Sequence, residues 1–178
     1  MNTKRIVVGF MGCKGSGKDT AAAMLRHLAC QTMPVHRRAH GDAIKVAVAA
    51  KMGITVEQLE RDKEIHRTEL QDFGVQRYQE NPRHWIDKLD LPATGLVTIT
   101  DIRRKNEIEN VTALGGIMVR VVNGRAEERA ASDLHVTERE WNSFTTGWHL
   151  YNNWSLAELE SEVRTLWLWM QDAYHIRP

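Results

Sequence analysis

Gly12-Cys13-Lys14-Gly15-Ser16-Gly17-Lys18, with Ile6-Val7-Val8-Gly9-Phe10 before it and Asp19-Thr20-Ala21-Ala22-Ala23-Met24-Leu25 after it, decides how this chain is read. The run Ile6 to Phe10 is short and β-branched, the pattern of a central parallel strand covered on both faces. From Lys18 onward the residues favour helix, and Ala21, Met24, Leu25 and Leu28 fall on one side of it. Between the two, the spacing G-x-x-x-x-G-K lets successive backbone N–H groups turn inward around phosphate oxygens. Lys18 then reaches the outer phosphates, and the helix N-terminus adds a favourable dipole. A glycine-rich turn with a solvated lysine has the same composition, but it requires neither the strand nor the helix. On the phosphate reading Gly12, Gly15, Ser16 and Gly17 shape the cradle, while Cys13 and Lys14 line it.

The rest of the chain continues in strand and helix alternation. A second helix is expected over Ala43–Met52, stopped by Gly53, and Thr55-Val56-Glu57-Gln58 is a capping-box start for a third that weakens around Gly74. Asn81-Pro82 predicts a further helix start, opening Arg83–Leu89. Gly95–Asp101 is the second buried strand, with its carboxylate at the carboxyl end, where open α/β sheets bind ligands. A helical stretch to Leu114 and the strand Ile117–Val122 complete a βαβ unit. Residues 123–146 are polar and lack apolar periodicity, so a surface excursion acting as a lid is expected there. Ser155-Leu156-Ala157-Glu158 caps a last helix whose Leu156, Leu159, Val163, Leu166, Trp167 and Met170 can pack on the sheet; Trp154, Trp167 and Trp169 are expected to anchor it. The whole predicts one α/β domain over residues 1–178, a three-layer sandwich around a central, mostly parallel sheet.

The formal net charge is +1, from 24 basic and 23 acidic residues, so no global field favours a nucleic acid and phosphate recognition must be local. The apolar run from Ile6 to Met11 is too short to span a membrane or to serve as a secretory core. Two cysteines without metal-ligand spacing fit a reducing cytoplasm.

Several residues extend the site beyond the loop. The position after Lys18 is Asp19, where a Ser or Thr hydroxyl ordinarily meets Mg²⁺, and Thr20 follows it. Asp19 can ligate Mg²⁺ directly, bind it through water, or cap the helix while Thr20 faces the nucleotide. Asp101 stands where a strand-end carboxylate holds Mg²⁺, with Arg103 two residues on; a strand-end Asp also serves as an ordinary helix cap. Arg67 and Gln71 share a helical face and Arg77 follows, a group able to clamp an acceptor phosphate and equally able to be solvated helix charges. Trp85 can pack in a core or stack on a base, and His135 taken alone reads as a surface histidine.

Taken in order, these motifs resemble the bacteriophage deoxynucleoside monophosphate kinases, whose relatives include animal phosphomevalonate kinases. The resemblance rests on Gly17-Lys18-Asp19-Thr20, Gly41-Asp42-Ala43-Ile44-Lys45, and Arg67-Thr68-Glu69-Leu70-Gln71-Asp72-Phe73-Gly74 with Arg77 and Trp85. It continues through Asp101-Ile102-Arg103-Arg104 with Glu107, Asp133-Leu134-His135-Val136-Thr137-Glu138 and Asn152-Asn153-Trp154-Ser155-Leu156. It implies a P-loop kinase fold similar to nucleoside monophosphate kinases, and transfer of a phosphoryl group from ATP, with Mg²⁺, to a deoxynucleoside monophosphate. Position by position, Lys18 and the loop would hold ATP, and Arg67, Gln71, Arg77 and Asp42 would bind the monophosphate, with Trp85 beside them. Arg103 and the segment containing His135 and Glu138 would close over the transferring group. Family analogy also suggests a homodimer. Because an acceptor phosphate is ionised at neutral pH, such a reaction needs positioning and charge neutralisation more than a general base. Two alternatives share the loop: a kinase for another small phosphorylated metabolite, and a nucleotide-binding module without catalysis.

Overall fold

The computed structural model describes residues 4–130, 144 and 146–177. In chain order the elements are β1 (Ile6–Met11), α1 (Lys18–Ala29), β2 (Val35–Arg38), α2 (His40–Met52), α3 (Val56–Arg61), α4 (Arg67–Glu80) and β3 (Leu96–Ile102). There follow α5 (Lys105–Ala113), β4 (Ile117–Val122), α6 (Gly124–Ala130), β5 (Trp148–Tyr151) and α7 (Leu156–Ala173). They form two compact units, one of Met1–Arg37 with Leu91–Pro178 and the other of Arg38–Asp90.

The first unit is built on a sheet of order β2-β3-β1-β4-β5. β1 pairs in parallel with β3 on one side and β4 on the other, and β4 pairs in parallel with β5. All six residues of β1 are buried, as an all-apolar central strand requires. The side-chain period of two divides its faces: Ile6, Val8 and Phe10 join a core with Leu25 of α1 and Leu159, Val163, Leu166 and Met170 of α7. On the opposite face the space beside Gly9 is filled by Met118 and by Val111 of α5. Helices therefore cover both faces of a parallel sheet, the three-layer α/β sandwich that the strand-and-helix alternation implies.

β2 and β5 carry no strong sequence signal. Val35-His36-Arg37-Arg38 and Trp148-His149-Leu150-Tyr151 are four residues each, and they flank the sheet at its two ends. In α7 the residues expected to pack do so except Leu156, which is 64% exposed at the first helical position. Trp167 is buried, and Trp169 packs on Trp148 with ring centroids 5.1 Å apart, but Trp154 is 75% exposed and anchors nothing.

In the second unit Val48, Ala49 and Leu59 form the core, surrounded by Ile44, Met52, Ile54, Leu70 and Phe73. The Thr55 hydroxyl accepts from Gln58 N–H at 3.2 Å and the Gln58 side chain accepts from Thr55 N–H at 2.8 Å, the reciprocal capping box expected of these residues. The helix so capped ends at Arg61, and α4 starts anew at Arg67. α4 then runs unbroken through Gly74. A Cβ at that position would lie 3.0 Å from Ile44 Cδ1, so glycine is present here for the close approach of α2, not to end the helix. Asn81-Pro82 opens only a series of turns. Asn81 Oδ1 accepts from Arg83 N–H at 2.9 Å, and the backbone bonds that follow mix three- and four-residue spacings. Of the expected lid, residues 124–130 form α6, and the remainder falls largely outside the described residues, as do His135 and Glu138.

Candidate phosphate-binding site

β1 delivers the chain to Gly12 at the carboxyl edge of the sheet, and α1 begins at Lys18. The glycines in between carry backbone angles that other residues avoid: φ is 148° at Gly12, 80° at Gly15 and 94° at Gly17. A Cβ on Gly12 would also meet Val121 O at 2.6 Å and Ser16 Oγ at 2.7 Å, so the loop closes on itself too tightly for a side chain there.

Two buried polar groups of this loop stand out, and one of them lacks the partner that burial demands. Ser16 Oγ is buried with no hydrogen-bond partner among the described residues. Lys18 is 7% exposed, and its ammonium donates to Cys13 O at 3.2 Å. Burial, and then the Arg103 guanidinium, push the Lys18 ammonium below the ordinary lysine range, while the charges of Asp19 and Asp101 draw it back up. A buried amine under the repulsion of a second cation is in an environment that an anion would relieve. The orphaned hydroxyl, the amine and the glycine-lined turn thus fit the phosphates of a nucleotide.

Electrostatics link four of the residues singled out from sequence: Asp19, Asp101 and Arg103 all act on the Lys18 ammonium. Asp101 is the penultimate residue of β3. Arg103 follows the strand, and its position is set by Glu107, a buried carboxylate that turns back to accept from the backbone N–H of Arg103 at 2.8 Å and Arg104 at 3.0 Å. Asp19 and Thr20 lie exposed in the first turn of α1. A magnesium ion carried by a nucleotide takes most of its ligands from phosphate and water, so one or two carboxylates suffice, and Asp19 and Asp101 are of the right kind. Among the described residues no cluster of three or more His, Cys, Asp or Glu gathers to hold an ion unaided.

Cys13 is fully buried. Burial and then Glu127 raise its thiol above the usual range, against the opposing pull of Lys18 and Arg129, so it stays protonated at neutral pH and spaces the loop. Glu127 and Arg129 belong to α6. A Cβ on Gly15 would lie 3.8 Å from an Arg129 guanidinium nitrogen, so a third cation stands beside the loop. Nothing in the polar segment after β4 distinguishes Arg129 by sequence; only the folding of α6 over the loop does.

The second unit holds Asp42, Arg67, Gln71, Arg77 and Trp85. Arg67 and Gln71 lie one turn apart on α4, with Arg67 3.6 Å from Glu64. Arg77 lies about 80° round the helix from Arg67 at 100° per residue, pairs with Glu80 at 2.7 Å and stacks on the Phe73 ring at 5.3 Å. Asp42 is in the first turn of α2, 3.5 Å from Lys45. Trp85 is buried and its indole N–H donates to Gly74 O at 2.9 Å, so packing accounts for the ring. A shallow groove of about 460 Å³ runs along the other side of α4, over Thr68, Asp72 and Gln76, and none of Arg67, Gln71 or Arg77 lines it.

No protein-family model matches the chain. A search of curated proteins finds a UDP-N-acetylmuramoylalanine--D-glutamate ligase of Wolbachia pipientis wMel, 27% identical over 143 residues. That match covers 80% of this chain but 24% of the ligase, so the chain spans about a quarter of that protein. Among solved structures it is similar to an APS kinase of Mycobacterium tuberculosis in complex with AMPPNP and APS, at 16% identity and a TM-score of 0.48, covering 92% of this chain and 98% of that one. It is also similar to a shikimate kinase of Aquifex aeolicus vf5, at 12% identity and a TM-score of 0.43, covering 94% and 98%. Among the described residues no helix is long and apolar enough to cross a membrane.

Proposed function

We propose that this protein is a phosphotransferase that moves the γ-phosphoryl group of ATP to a deoxynucleoside monophosphate, giving ADP and the diphosphate. The observation that carries the phosphate half of this reading is the buried Lys18 ammonium at the end of a glycine loop whose buried Ser16 hydroxyl is orphaned. Lys18 and the loop amides hold the triphosphate, and Arg103 neutralises charge on the transferring group. Asp19 and Asp101 would hold the magnesium ion, which supplies further neutralisation when bound. The acceptor half rests on Arg67, Gln71 and Arg77 and on the ordered resemblance along the chain, with Asp42, His135 and Glu138 as further acceptor-side residues. An ionised acceptor phosphate needs no general base, which suits an arginine-rich set.

The test is ADP release across a panel of deoxynucleoside and nucleoside monophosphates, with phosphomevalonate and other small phosphorylated metabolites alongside. Release with a deoxynucleoside monophosphate at the highest kcat/KM is expected. Release with only a non-nucleotide phosphate transfers the reading to a metabolite kinase. ATP binding with no acceptor-dependent release leaves a nucleotide-binding module.

A further inference from the structure

Asn152 is the first residue after β5, and its side chain lies against the phosphate loop. Its Nδ2 donates to Ser16 O at 2.9 Å across 136 residues of sequence. The residue itself is held on two sides: its backbone N–H donates to Val122 O at 2.8 Å, at the end of β4, and its carbonyl accepts from the Asn123 side chain. Asn123 Oδ1 takes the Ala126 N–H at 2.9 Å and Asn153 Oδ1 takes the Gly124 N–H at 2.8 Å, so Asn123 and the neighbouring Asn153 cap the start of α6. The ends of β4 and β5 and the start of α6 are thus tied together around the backbone of Asn152, whose side-chain donor points at one loop carbonyl.

A planar trans peptide sends its C=O and N–H in opposite directions, and no cis peptide occurs among the described residues. Holding Ser16 C=O toward Asn152 therefore turns Gly17 N–H away from it. Gly17 has φ 94°, and a Cβ there would collide with Asn152 Nδ2, so this carboxamide occupies the room a side chain at 17 would need. Glycine at 17 and asparagine at 152 are complementary halves of one contact.

We infer that Asn152 is a positioning residue of the phosphate site: by gripping Ser16 O it aims Gly17 N–H at the nucleotide's phosphate, and it does so without touching the nucleotide. The inference rests on the nucleotide-binding reading above. It assigns to a residue far along the chain the setting of one loop amide, and it makes loop geometry depend on the β4 and β5 ends.

Asn152→Asp tests it, because the shape is kept and the donor is replaced by an acceptor facing a carbonyl. ADP affinity by calorimetry, KM for ATP, KM for the acceptor and the ligand-free Tm are measured for wild type and variant. ADP affinity and KM for ATP should weaken about tenfold or more, with acceptor KM and ligand-free Tm little changed. Asn152→Ser, which is too short to reach Ser16 O, should show the same selective loss and serves if the Asp variant does not fold. Wild-type-like ADP affinity in either folded variant overturns the inference. So does a fall of Tm and ADP affinity together with a rise of acceptor KM, which marks a merely structural residue. A wild type that binds no adenine nucleotide defeats the nucleotide reading itself, and the inference with it.

Discussion

Lys18 and Arg67 show what individual side chains do and do not disclose. Lys18 follows from spacing alone, because a lysine directly after the second glycine of such a loop has one place to go. The burial that depresses its pKa and the repulsion from Arg103 come only from the fold. Arg67, 30% exposed and 3.6 Å from Glu64, is identical in composition to any helix-surface ion pair, and such pairs contribute little to stability. Arg67→Ala should therefore leave Tm nearly unchanged. If Arg67 binds the acceptor phosphate, KM for the acceptor should rise about tenfold or more with KM for ATP unmoved. An unchanged acceptor KM in the folded variant removes Arg67 from the site.

At the scale of elements, caps and periodicity were legible and short edge strands were not. The capping boxes at Thr55 and Ser155 operate as their spacing predicts, because the partners are three residues apart and need no tertiary context. β2 and β5 have four residues each and no clean alternation, so neighbouring strands decide them. Gly74 misleads for a related reason: sequence shows the weak propensity of glycine but not the Ile44 side chain that demands it. Between α2 and α3, Lys45 is hydrogen-bonded to Glu60, and that bond, with Lys63 nearby, holds the Glu60 carboxyl below its usual range. A depressed carboxyl stabilises the fold above its unfolded pKa, and that share is lost as pH falls through the folded value. Glu60→Gln should thus flatten the fall of the urea midpoint between about pH 5 and pH 3 relative to wild type. Glu60 is 39% exposed, so the change should be small; an unaltered slope would show the bond contributes nothing.

For the molecule as a whole, ligand binding and folding are linked. If the loop takes ATP, the nucleotide should stabilise the native protein by about 2.7 kcal/mol at 100 times Kd, raising Tm by about 5–10 °C for a chain of this size. Lys18→Ala should erase that rise while keeping the ligand-free Tm within a few degrees; a rise that survives the substitution places the nucleotide elsewhere. By itself the sequence determined the loop, the two central strands β1 and β3, the helix after each and the acidic residue at the edge of β3. Each of these depends on neighbours within a few residues, through spacing, side-chain period and the left-handed angles that glycine permits. Only the tertiary structure decided that the charge of Arg103 acts on Lys18, that Arg129 of α6 stands beside Gly15, and that Asn152 grips Ser16. These interactions join residues 85 to 136 positions apart, and they exist because parallel strands all end at the same sheet edge, bringing distant loops to one place.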